Sequence, residues 1–132
     1  MNKDQPFLHV TRFKGKGPRP KIVCLCGSTR FYKQYMQSNF EETMKGNIVL
    51  SVGFFAHSAN ELDWAKREHG EIVGITEEEK IQLDELHKRK IDLADEILVI
   101  NVDGYVGSST KSEIDYAIAN YKSVRWLEDP NR

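Results

Sequence analysis

Glu96-Ile97-Leu98-Val99-Ile100-Asn101-Val102 is an apolar run that reads as a buried strand. A short loop with Gly104 and Gly107 follows it. Ser109-Thr110-Lys111-Ser112-Glu113-Ile114-Asp115-Tyr116 comes next, and its Ser-Thr pair opens a helix. Strand, glycine loop and helix start are the ingredients of an open α/β sheet, where ligands bind beyond the C-terminal ends of the strands. Glu113, expected on the first turn of this helix, would lie at that edge beside backbone N–H groups and hydroxyls. A carboxylate there can act as a nucleophile, a general base or a ligand to a ribose hydroxyl. It can equally be an acidic residue that complements the helix dipole.

Upstream, Thr76-Glu77-Glu78-Glu79 has the pattern of a capping box. It starts a helix expected to run to about residue 94, with Leu83, Leu86 and Leu93 on its inner face. Lys21-Ile22-Val23-Cys24-Leu25-Cys26 reads as a central parallel strand. It ends in Gly27-Ser28-Thr29-Arg30, and a helix is expected over about 31–45 with Tyr35, Met36, Phe40 and Met44 at helical spacing. Gly46 stops that helix. Ile48-Val49-Leu50-Ser51-Val52 is the next strand, and Ser123-Val124-Arg125-Trp126-Leu127 is the last.

The order β-α-β-(long loop)-α-β-α-β predicts a single flavodoxin-like, doubly wound α/β domain with a mainly parallel sheet over residues 21–132. Residues 1–20 form an N-terminal arm, in which Phe7, Leu8, Val10 and Phe13 could pack onto the domain or a partner subunit. Right-handed crossovers place the first and third strands side by side and the second outside the first. The turn at 27–30 and the segment 107–113 then flank one crevice. The stretch 53–75 is long enough to be a functional loop or lid, with a short helix over about 59–68.

The chain has 132 residues, enough for one domain with a core, and a net charge of −1. That balance gives no electrostatic reason to expect a nucleic-acid partner. No apolar run approaches the roughly 20 residues of a membrane span. The N-terminus lacks the apolar stretch of a signal peptide, and two cysteines do not make a disulfide scaffold. The expectation is a soluble cytoplasmic protein with no membrane partner.

Several groups can carry chemistry. Gly27, Ser28, Thr29 and Arg30 join a strand to a helix start, which suits a phosphate or carboxylate; the same turn could simply cap the helix. Gly107, Ser108, Ser109 and Thr110 form a second hydroxyl-rich helix start, able to hold a 5′-phosphate or to cap. Phe54 and Phe55 could stack on a flat ring or anchor their loop. His57, His69 and His87 are too dispersed for a zinc site. Cys24 and Cys26 are expected on opposite faces of their strand, as core residues rather than metal ligands. His87 is expected to be structural or at the surface.

Ala94-Asp95-Glu96-Ile97-Leu98-Val99-Ile100 followed by Ser109-Thr110-Lys111-Ser112-Glu113-Ile114-Asp115-Tyr116-Ala117 resembles the nucleoside 2-deoxyribosyltransferase family. The Gly27-Ser28-Thr29-Arg30 turn is similar to the phosphate-side loop of its 2′-deoxynucleoside 5′-monophosphate N-hydrolase relatives. The resemblance spans about residues 21–127. It implies that Glu113 is the nucleophile that attacks an anomeric carbon and expels a base. It also implies a nucleotide ligand, no metal or redox cofactor, and a homodimer or larger homo-oligomer. Ser28, Thr29, Arg30, Ser109 and Thr110 would then hold phosphate or ribose, with Phe54 and Phe55 beside the base.

Three positions depart from the family pattern. His87 and Gly107 stand where aspartates are common, and Asp115 stands where glycine is common. His57, Asp103 or His87 could then supply the replacement acid. Two other readings of the same scaffold are a nucleotide-binding sensor without turnover and a NAD-cleaving glycohydrolase.

Overall fold

The structure is a computed structural model and describes residues 18–53 and 76–131. Among these residues the elements are β1 (Ile22–Gly27), α1 (Tyr32–Met44), β2 (Ile48–Leu50), α2 (Glu77–Leu93), β3 (Glu96–Ile100), α3 (Ser108–Ala119) and β4 (Ser123–Trp126). Short 3-10 turns cover Thr29–Phe31 and Val102–Gly104. The residues Phe54, Phe55 and His57, the helix expected over 59–68 and the apolar residues of the arm lie outside the described residues.

The four strands are all parallel, in the order β2-β1-β3-β4. This is the flavodoxin-like order that right-handed crossovers require of this succession of elements. β1 and β3 are the inner strands. Side chains on both of their faces are covered, which is why each reads as an unbroken apolar run. Val23, Leu25, Leu98 and Ile100 pack with Tyr35 of α1. Cys24, Cys26, Ile97 and Val99 pack on the other face with Ile91 of α2 and with Ile114 and Ala117 of α3.

The cysteine expectation is therefore corrected. Residues two apart on a strand share a face, and Cys24 and Cys26 lie together in one layer of the core. The inner faces of two helices also differ from expectation. α1 buries Tyr35, Ser38 and Glu42, while Met36, Phe40 and Met44 are exposed. α2 buries His87 and Ile91, while Leu83, Leu86 and Leu93 are exposed.

Local chemistry fixes the element ends. The Thr76 hydroxyl accepts from Glu79 N–H at 3.1 Å, and the Glu79 carboxylate accepts from Thr76 N–H at 3.0 Å, which completes the capping box. α1 closes with Gly46 at φ 86, with Gly46 N–H donating to Thr43 O and Asn47 N–H to Glu42 O. α3 closes the same way, with Tyr121 at φ 60 in the left-handed position. β1 ends in glycine because β3 crowds it: a Cβ on Gly27 would lie 2.9 Å from both Cβ and O of Ile100.

At the N-terminal end of the sheet, charges are paired. Arg125 grips Glu42 with Nη2 to Oε1 at 2.7 Å and Nη1 to Oε2 at 3.1 Å, and its Nε donates to Glu96 at 2.7 Å. Nearby, Arg19 forks onto Asp95, which also accepts from Ile22 N–H. These contacts tie α1, β3, β4 and the approach to β1 together.

Candidate functional site

At the opposite, C-terminal end of the sheet lies a pocket of about 430 Å³. That volume is in the range of small-molecule sites. Its wall includes Gly27, Ser28, Thr29 and Arg30 from the turn after β1. From the start of α3 it includes Gly107, Ser108, Ser109, Thr110 and Glu113. The register explains the meeting: Gly27 stands opposite Ile100, so β1 and β3 stop together and release their following segments side by side.

Each segment is held locally. The Ser28 hydroxyl accepts from Arg30 N–H at 3.3 Å and from Arg30 Nε at 3.0 Å. Arg30 lies over the Tyr105 ring, 4.5 Å from its centroid, and among the described residues no carboxylate pairs with it. The Tyr35 hydroxyl donates to Gly27 O at 2.8 Å and fastens the turn to α1. α3 begins at Ser108 with Gly107 as its N-cap, and no side chain caps it. Glu113 is thus on the second turn of α3, one turn further in than expected, and it is buried. A second-turn carboxylate gains little from the helix dipole.

Glu113 sits in an unusual setting. Burial pushes its carboxyl up to about 7; Cys24 and Asp84 add to the rise, while His87 and a hydrogen bond from Cys26 oppose it. Beneath it, His87 Nε2 lies 3.0 Å from Leu25 O, 3.6 Å from Cys24 Sγ and 3.5 Å from Cys26 Sγ. The hydrogen bond between the two thiols, aided by His87, lowers the Cys24 thiol to about 6 against the effect of burial. The same bond, with burial, raises Cys26. Burial alone would lower His87, but Cys24 and Glu113 carry it above its ordinary 6.5.

α2 supplies a further side of the pocket, of which only His87 was expected to carry chemistry. Lys80, Asp84, His87 and Lys90 all line it. The Ser109 hydroxyl accepts from Lys80 Nζ at 2.7 Å and donates to Asp84 Oδ2 at 3.3 Å. Lys90 Nζ donates to Ser51 O at 2.6 Å and fixes the end of β2. The signal was present: positions 80, 84, 87 and 90 recur at three- and four-residue spacing and share one helix face. His87, expected to be structural or at the surface, is buried and forms part of this wall.

Asp103 is not brought to the pocket. It lies in the turn after β3 at φ 53, where Asp103 and Gly104 carry the chain toward the β4 side. There its N–H donates to Glu128, and it lines a separate hollow with Asn101 and Asp129. Phe54, Phe55 and His57 are outside the described residues.

Among the described residues, no helix is long and apolar enough to cross a membrane. No protein-family model, curated protein or solved structure matches the chain.

Proposed function

We propose that this protein cleaves or transfers at the N-glycosidic bond of a (deoxy)nucleoside 5′-monophosphate, acting in the cytoplasm, with Glu113 as nucleophile. The supporting observation is that one pocket wall contains a buried carboxyl, the Ser28–Arg30 turn and the hydroxyl-rich start of α3. Such a wall offers a cation and N–H groups to a phosphate and a carboxylate to an anomeric carbon.

In this reading the Glu113 carboxylate bonds to the anomeric carbon as the C–N bond breaks. The bonding pair leaves with the base, which takes up a proton. Water, or a second base, then displaces the glutamyl ester through a second oxocarbenium-like transition state. Proton traffic at the base falls to Asp84 among the described residues. The competing group, His87, already directs its Nε2 at the Leu25 carbonyl and two thiols. Asp84 thus takes the role that the resemblance gives to an aspartate one turn further along α2.

The test is release of free base. The protein is incubated with deoxynucleoside monophosphates, ribonucleoside monophosphates and NAD, and compared with Glu113→Ala. Base release from deoxynucleoside monophosphates that disappears in the variant supports the proposal. Release of nicotinamide from NAD alone, or tight nucleotide binding without any release, overturns it.

A further inference from the structure

We propose that Cys24, Cys26 and His87 form a binding site for a thiophilic divalent metal ion of the zinc class, in the core directly under the pocket. The three ligand atoms lie within 4.8 Å of one another, and all three residues are buried. The two sulfur-to-nitrogen separations are 3.6 and 3.5 Å. A tetrahedral zinc bound at about 2.3 Å to sulfur and about 2.05 Å to nitrogen holds those two donors about 3.5 Å apart.

The surroundings of His87 Nε2 support an ion. That nitrogen carries either one proton or one lone pair, yet it faces the Leu25 carbonyl and both sulfurs at once. With its proton on Nε2 the imidazole donates to the Leu25 carbonyl; with the proton on Nδ1 it gives up that bond and offers a lone pair to the space it shares with the two sulfurs. A cation on Nε2 that both thiolates also reach serves the two sulfurs simultaneously. In the bound form both thiols are deprotonated, and the imidazole is neutral with its proton on Nδ1 in place of Nε2. Two thiolates and a neutral imidazole form a donor set that suits zinc and excludes calcium and magnesium.

The pocket supplies access. His87 and Glu113 are part of its wall, and the Cys26 thiol is hydrogen-bonded to Glu113. The fourth coordination position therefore falls to the Glu113 side, where His87 and Glu113 border the cavity while Cys24 and Cys26 lie behind them in the core. The site does not rest on the glycosidase reading, because metal binding is measured without any substrate.

Cobalt(II) titrated into the reduced full-length protein is the probe. Cys24 and Cys26 are the only cysteines in the chain, so any thiolate-to-cobalt charge transfer reports this site. One equivalent of cobalt is expected to give that band together with tetrahedral ligand-field bands, and zinc is expected to bleach both. Cys24→Ser, Cys26→Ser and His87→Gln should each weaken binding by more than about tenfold, the least that loss of a ligand's supporting hydrogen bond costs. If these variants fail to fold, the wild-type protein still decides the matter. Zinc should then protect both thiols from alkylation and raise Tm, and a chelator should reverse both effects. No charge-transfer band at one equivalent, thiols that react equally with and without zinc, or full affinity in His87→Gln overturns the proposal.

Discussion

Glu42 and Glu113 are both buried, with 2% and 7% of their surface exposed. They titrate in opposite directions. Burial pushes Glu42 up, but the Arg125 fork, Lys45 and Asn47 outweigh it and bring the carboxyl down to about 2. Burial also pushes Glu113 up, and there nothing of comparable strength answers it, so the carboxyl rises to about 7. The contrast separates two uses of a buried acid. At the N-terminal end of the sheet the charge is neutralised and joins elements. At the C-terminal end it is left able to change protonation near neutral pH, as is common where chemistry is done.

The sharpest way to break this contrast is to remove each acid in turn. Glu113→Ala should lower kcat/KM for base release by at least about a thousandfold. Glu42→Gln should leave turnover per folded molecule unchanged. In the wild type, a nucleophile must be ionised, so the rate should climb with pH through about 7, read from a pH–rate profile. A rate that is flat from pH 5 to 8 would remove Glu113 from the chemistry.

Next in size is the partner of Glu42. Arg125→Ala leaves a buried carboxylate without its fork and should cost about 2–4 kcal/mol in urea unfolding. That is below the full penalty for orphaning a charge, because Arg125 itself reaches solvent. Adding Glu42→Gln to Arg125→Ala should recover part of the loss.

A comparable effect of opposite sense is expected at Glu113. Its folded carboxyl rises from 4.5 to about 7, so its contribution to stability is fully present below about pH 4.5 and is lost as pH climbs through 7. The change amounts to roughly 3 kcal/mol. Glu113→Gln should therefore be more stable than wild type at pH 8 by up to that amount, with the advantage shrinking toward pH 5. For Glu42 the sign reverses: its contribution is present above its ordinary range and is lost as pH falls toward 2.

The smallest effect lies away from both acids. Tyr121 is 96% exposed and sits at φ 60, so its ring has almost no packing to lose. Tyr121→Gly should raise stability by about 1 kcal/mol through relief of the left-handed backbone, seen as an increase in Tm.

The legible parts of the sequence were those whose cause is local. The runs in β1 and β3, the Thr76–Glu79 capping box and the Gly46 stop each depend on residues close in the chain. The placing of β1 beside β3 with β2 outside followed from right-handed crossovers, while the place of β4 was not read from the sequence. The inner face of α1 was legible at Tyr35, while the burial of Glu42 was not, because it depends on Arg125 at the far end of the chain. Apolar periodicity also pointed to Met36, Phe40 and Met44, which are exposed. In α2 the same bias toward leucines hid Lys80, Asp84 and Lys90, whereas His87 was singled out through the family pattern. The meeting of Glu113 with the Gly27–Arg30 turn was readable from topology, whereas the Cys24–Cys26–His87 grouping required the strand's two-residue period to be combined with the angle at which α2 crosses it.

Among the described residues, the sheet is bounded by β2, of three residues, and β4, of four. Strands this short offer an incoming chain only a few free backbone groups, too few to template further pairing. Growth into ribbons or fibres by lateral strand addition is thereby discouraged, even though all four strands run in one direction.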